Sequence, residues 1–299
     1  MLSVIAGLIL STQLQVHQPQ VPEIVYSRTP IVTSYRASAS NYAANQNSAQ
    51  AAGGTIKVTA GDRRISQSLA SNVAKIIDQT SLRVIQDSVG TTPAEKTNVV
   101  LYSSTSSYGK ALISAGVPVS QVMIYATGTA GITMGSEVWI PLYNIANQGD
   151  LENVLTHELT HVAFNQMGIG DKLPTWINEG MAMRNGTNVY LQVDRRSALL
   201  YMLTQQAGIL SAVKGDQLLP LTASEEDIMT ADYNVEYEDY LAVQSLINKY
   251  GVDRFVSFFN DLKTEGLEQA FQNSFGVSMS IFQDDFYRGL MGQSKQLAQ

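Results

Sequence analysis

Residues 151–167 read LENVLTHELTHVAFNQM, and the fold turns on this stretch. Leu151, Val154, Leu155, Leu159, Val162 and Ala163 recur at the 3–4 spacing of an amphipathic helix, which Gly168 and Gly170 bring to an end. Inside it, His157-Glu158-Leu159-Thr160-His161 sets two histidines at i and i+4. They lie one turn apart on one face, so both rings can reach a single metal ion. Glu158 faces the same side but stands too far round the helix to ligate, which leaves it free to hold a water. With three histidines and twelve glutamates in 299 residues, chance would yield such a pentapeptide in roughly one chain in a thousand. The plainer alternative is a helix whose two histidines are satisfied by backbone carbonyls.

Composition narrows the chemistry further. The chain has no cysteine, so thiolate zinc sites, iron–sulfur clusters, disulfides and cysteine nucleophiles are all excluded. Any catalytic metal must be held by histidine and carboxylate. A net charge of −7 and a pI near 5.0 argue against nucleic acid as the main partner, because a phosphate-binding surface needs a basic stripe.

Leu2–Leu10 (LSVIAGLIL) is an apolar run too short to span a bilayer as a helix. No Lys or Arg precedes it, and no alanine lies between Ala6 and Ala37 to build a cleavage site. It reads as an atypical signal peptide, the surviving end of an anchor, or a buried helix. The first two place the protein outside the cell, extracellular or membrane-anchored on the outer face. Residues 11–54 are rich in Gln, Ser, Ala, Asn and Thr with few charges, the composition of a flexible linker. Val21–Tyr35 has enough β-formers for a short strand, and the third histidine, His17, reads as a solvated side chain of this tether.

Order is expected from residue 55 onward. Thr55–Val58 and Asn98–Tyr102 read as strands, and Ile65–Val89 and Ser107–Ala115 as helices. VMIYAT (122–127) and ITMGSEVWI (132–140) read as β-rich pieces joined through glycines, a hairpin or meander signal. After Gln148 the pattern is helical: the 151–167 helix, one after Pro174, a third over about Val189–Gln206, then Tyr237–Tyr250, Val252–Thr264, Leu267–Phe275 and Met279–Met291. The layout predicts an α+β fold, with a mixed strand/helix N-terminal lobe (about 55–167) and a helical C-terminal lobe (168–299) joined through the central helix. The acidic stretch Glu225–Asp239 reads as an open-faced helix and turn, or as a lip of the cleft that prefers basic substrates.

Catalytic zinc usually takes three protein ligands and keeps one position open. A third histidine in the metzincin manner would stand at position 167 with glycine at 164; Met167 and Phe164 exclude that arrangement. Downstream, after a Gly/Pro turn, comes Leu173-Pro174-Thr175-Trp176-Ile177-Asn178-Glu179-Gly180-Met181-Ala182. HELTH followed by LPTWINEGMA resembles the peptidase MA-like gluzincins, relatives of thermolysin and the aminopeptidase N group, whose second motif runs W-x-N-E-G-x-A. The resemblance covers about residues 55–299, strong at the two motifs and weak elsewhere.

What the resemblance implies is a gluzincin-type zincin. His157, His161 and Glu179 would bind Zn2+, and Glu158 would be the general base in peptide-bond hydrolysis. Seventeen residues separate His161 from Glu179, one fewer than is usual in the aminopeptidases. The family's oxyanion-stabilising tyrosine, counted back from Tyr250-Gly251, maps onto Tyr240, with Tyr237 one turn earlier as competitor. Where thermolysin has an aspartate that orients a zinc histidine, this chain has Met183, so a backbone carbonyl or Asn185 is expected to take over that task. Gly131-Ile132-Thr133 stands where gluzincins carry the edge strand that pairs with substrate backbone. The implied partner is a peptide or protein substrate, with a membrane tether through the N-terminus as one reading. The rival readings are a non-catalytic surface binding protein on the same fold and a zinc hydrolase of a non-peptide amide.

Overall fold

The computed structural model of the protein describes residues 47–94 and 96–297. The apolar Leu2–Leu10 run, the tether with His17 and the Val21–Tyr35 strand reading lie outside the described residues. What is described is a mixed α/β, mostly helical structure around one five-stranded sheet.

The sheet contains β1 (Ser48–Ala51), β2 (Ile56–Ala60), β3 (Thr97–Tyr102), β4 (Ile132–Met134) and β5 (Glu137–Pro141), in the order β1-β2-β3-β5-β4. The central β2, β3 and β5 run parallel; β1 and β4 pair antiparallel at the two edges. Between β2 and β3 stand α1 (Gln67–Ile76), a π-helical turn (Ile77–Ser81) and α2 (Leu82–Val89). Between β3 and β4 stand α3 (Thr105–Ser114) and α4 (Val119–Gly128).

Side chains alternate across a strand, so one sheet supports two cores. Val99, Leu101, Val138 and Ile140 point to one face, into the large core built with α1, α2 and the helices beyond the sheet. Val100, Tyr102 and Trp139 point to the other, where α3 and α4 cover them with Tyr108, Leu112, Val122 and Ala126.

Past the sheet the chain is helical: α5 (Gln148–Gln166), α6 (Thr175–Val193), α7 (Arg195–Lys214), α8 (Glu225–Thr230), α9 (Val235–Tyr250), α10 (Val252–Asp261), α11 (Leu267–Phe275) and α12 (Met279–Leu297). Asn147 caps α5 by accepting the N–H of Asp150, and Asp194 caps α7 by accepting that of Ser197. The buried helix α6 lies between α5 and α9, and two glycines set how closely. A Cβ on Gly180 would sit 2.4 Å from the carbonyl oxygen of Asp239 on α9, and one on Gly186 would sit 2.7 Å from that of Asn153 on α5. Phe255, Phe258, Phe259, Phe271 and Phe275 close the far side of the large core.

Three sequence expectations are corrected. Ser48–Ala51 is an edge strand, not linker: Gln67 bonds both the N–H and the carbonyl of Ser48, and Asn47 donates to the carbonyl of Ile65. VMIYAT belongs to α4, not to a strand. Val122, Tyr125 and Ala126 fall at helical spacing and bury against the sheet, which overrides the β-propensity of the segment. The helix after Pro174 runs on to Val193, so the third begins at Arg195 and not near Val189. Among the described residues no helix is long and apolar enough to cross a membrane.

Candidate metal centre

Helix α5 brings His157 and His161 to one buried face, with ring centroids 4.8 Å apart. Helix α6, folded back by the turn at residues 168–174, sets Glu179 against them. His157 Nε2 and His161 Nε2 are 3.0 Å apart, and Glu179 Oε2 lies 3.3 Å from the first and 3.5 Å from the second. Three atoms at such spacing match three corners of a tetrahedron whose centre lies about 2.0 Å from each, the bond length of zinc to histidine or carboxylate.

A second observation supports the fit. Glu179 is buried, yet neither carboxylate oxygen has a hydrogen-bond partner. A carboxylate taken out of water without partners is costly, and a cation among the three groups removes that cost. The electrostatics agree. Burial alone would lower the pKa of His161, but the Glu179 carboxylate beside it dominates and lifts it to about 9. For His157 burial works downward, and the Glu179 carboxylate 3.3 Å away together with Glu158 more than offsets it, so its pKa is raised too. Glu179 is held below the usual carboxylate range by the two histidines despite its burial.

The outer partner of His161 is Asn178, whose Oδ1 lies 2.8 Å from Nδ1. This corrects the expectation of a backbone carbonyl or Asn185, since Asn185 donates instead to Thr160 Oγ1 at 3.1 Å. An amide oxygen can only accept, so Nδ1 carries a proton and Nε2 is the nitrogen that faces Glu179.

Glu158 is 1% exposed and faces β4. Thr133 Oγ1 donates to Glu158 Oε2 at 2.7 Å and approaches the Glu158 carbonyl oxygen at 3.0 Å. Strand β4 is an edge of the sheet, and Gly131-Ile132-Thr133 therefore borders the metal helix.

Tyr240 lies buried on α9, its ring 5.3 Å from that of Tyr237 and its charge environment set by Arg184. Both tyrosines belong to one buried cluster with Met183 and Val235. Glu238 and Asp239, expected on an open face or a cleft lip, are buried instead. Burial raises Glu238 to about 7 against the hydroxyls of Tyr233 and Tyr287, and holds Asp239 well above the carboxylate range, with Glu238 and Glu179 adding to the effect. Asn178, Thr133 and Glu238 were not singled out from sequence for these contacts; only the place of Asn178 directly before Glu179 offered a signal.

No family model matches the chain, and no curated protein matches it. Among solved structures it is similar to an M1 zinc metallopeptidase from Deinococcus radiodurans, at 17% identity and a TM-score of 0.46 over 79% of this chain and 47% of that one. A mutant of the Deinococcus radiodurans M1 zinc metallopeptidase bound to a Tyr-Ser-Ala substrate gives 18% identity and a TM-score of 0.46 over 77% and 46% of the two chains. The chain thus spans about half the length of these structural neighbours. The geometry of the site, not this likeness, carries the functional reading.

Proposed function

We propose that this protein is a zinc-dependent peptide hydrolase of the gluzincin type. The observation that carries the reading is the convergence of His157 Nε2, His161 Nε2 and an otherwise unpartnered Glu179 carboxylate at zinc-ligand spacing. Zinc held by these three residues would supply Lewis acidity and lower the pKa of water toward about 7.

The remaining work falls to the chain's own residues. Glu158 accepts the proton of the attacking water and passes it to the leaving amine. Tyr240 donates a hydrogen bond to the developing oxyanion. Burial raises its pKa, against the opposing influence of Arg184, so the phenol keeps the proton that a donor needs at neutral pH. The outer edge of β4 aligns an extended peptide beside the base. The substrate is a peptide or protein met outside the cell, with the N-terminal segment as export signal or tether.

The test sets Glu158→Gln and Tyr240→Phe beside the parent on one cleavable peptide, with zinc content measured for each. Glu158→Gln should keep its zinc and lose about 10²–10⁴-fold in kcat/KM. Tyr240→Phe should also keep zinc and slow turnover, as expected on removal of an oxyanion donor. A Glu158→Gln variant that cleaves at the parent rate contradicts the mechanism; one that loses zinc shows Glu158 to be a ligand. Cell-wall fragments assayed beside the peptide library separate peptidase from non-peptide amidase, and cleavage of neither would favour a binding protein.

A further inference from the structure

The Glu158 side chain is held from two directions, by Thr133 of β4 and by Gly131 immediately before that strand. Along β4, Ile132 and Met134 bury into the core under α3 and α4, while Thr133 alternates to the opposite face, toward α5. Thr133 is the cross-strand partner of Val138, which lies on that same face. Its hydroxyl has one proton and two acceptors within reach, and both belong to Glu158: the carboxylate Oε2 at 2.7 Å and the backbone carbonyl at 3.0 Å. The shorter contact goes to the carboxylate, as a charge-assisted bond should. Holding the carboxylate beside the residue's own backbone carbonyl leaves few rotamers open to the side chain.

Gly131 closes the other side. A Cβ there would stand 2.7 Å from both Cγ and Oε1 of Glu158 and 2.9 Å from Cδ. No side chain fits unless the glutamate moves. Only the flat surface of a glycine lets the edge strand lie this close to the carboxylate.

We propose that Thr133 is the positioning residue of the general base, and that Gly131 reserves the space into which the Glu158 carboxylate is held. This rests on the reading of Glu158 as the base. Thr133 engages Oε2, which leaves Oε1 as the carboxylate oxygen that this hydroxyl does not bond. Because the same strand would carry the substrate backbone, docking of peptide and placement of the base share one element.

Thr133→Val tests this, since valine keeps the size and β-branching of threonine and removes only the donor. Misplacing a reacting group by about 1 Å can cost about 10²-fold, so kcat should fall at least about tenfold while KM and zinc content stay near parent values. Thr133→Ser should recover most of the loss, and Gly131→Ala should reproduce the loss from the other side. A loosened strand would instead raise KM and lower the melting temperature, with serine no better than valine, and would overturn the proposal. A crystal structure of metal-free Thr133→Val supplies a readout apart from activity. A Glu158 carboxylate that leaves its place supports the proposal, and one that stays overturns it. Glu158→Gln, measured in parallel, separates the two failures. If it is inactive while Thr133→Val matches the parent, the positioning role is wrong and the base survives; if it is fully active, the base reading itself falls.

Discussion

Replacing Asn178 with alanine removes one acceptor from the candidate metal centre without touching any of the three proposed ligands. Asn178 Oδ1 lies 2.8 Å from His161 Nδ1, and the opposite nitrogen of that ring faces Glu179 Oε2 at 3.5 Å. The bond fixes both tautomer and ring orientation. Without it, the ring can place its proton on either nitrogen and turn about its side-chain torsions. Loss of such an outer partner typically weakens metal binding by about 10–100-fold, or roughly 1.4–2.8 kcal/mol. Competition for zinc against a chromophoric chelator at neutral pH measures this directly. Asn185→Ala is the matched control: the same residue type is buried on the same helix, but it is bonded to Thr160 Oγ1 at 3.1 Å. It should lower stability and leave zinc affinity near the parent value. Asn178→Asp restores an acceptor and should bind zinc at least as well as the parent. Parent-like affinity in Asn178→Ala, or an equal loss in Asn185→Ala, would show that Asn178 does not hold the His161 ring for metal.

Two further outcomes follow from the packing of α6 and α9. Gly180→Ala drives a methyl to 2.4 Å from the carbonyl oxygen of Asp239, a backbone atom that cannot rotate away, so chemical denaturation should show a loss of about 1–3 kcal/mol or more. The buried Glu238 accepts a 2.6 Å hydrogen bond from the Tyr233 hydroxyl, and burial lifts its pKa from 4.5 to about 7. The folded state therefore holds the proton more tightly than the unfolded state does. The stability from this group is complete below pH 4.5 and is lost as the pH rises to about 7. A gap of that size corresponds to about 3 kcal/mol. Glu238→Gln should thus flatten the stability profile between about pH 5 and 8 and be the more stable protein at pH 8; parallel profiles would contradict this.

The convergence of His157, His161 and Glu179 was largely legible because helical periodicity is local. Histidines four apart must share a face, and a Gly/Pro turn followed by a second helix can return a carboxylate to that face. The imidazole partner was not legible. Whether Asn178 or Asn185 meets His161 depends on how α6 crosses α5, and that crossing is set by backbone approach at Gly186, which carries no side-chain pattern. The same limit explains the errors in the first half. VMIYAT has the composition of a strand, yet Val122, Tyr125 and Ala126 also fit a helix, and burial against Trp139 and its neighbours decides between them. Ser48–Ala51 looks like linker because the groups that pin it, Gln67 and the backbone of β2, lie elsewhere in the chain. The acidic run before Asp239 misled in the opposite sense. Its charges suggested solvent, but Glu238 and Asp239 point inward.

The central claim is that three side chains from two helices converge on one zinc ion. Zinc titration of metal-free protein, read as stoichiometry and affinity for the parent, His161→Ala and Glu179→Ala, tests it most directly. Circular dichroism of each variant confirms that the fold survives. The parent should bind about one zinc tightly per chain, and both variants should lose that site. Full zinc occupancy in folded His161→Ala and Glu179→Ala would contradict it.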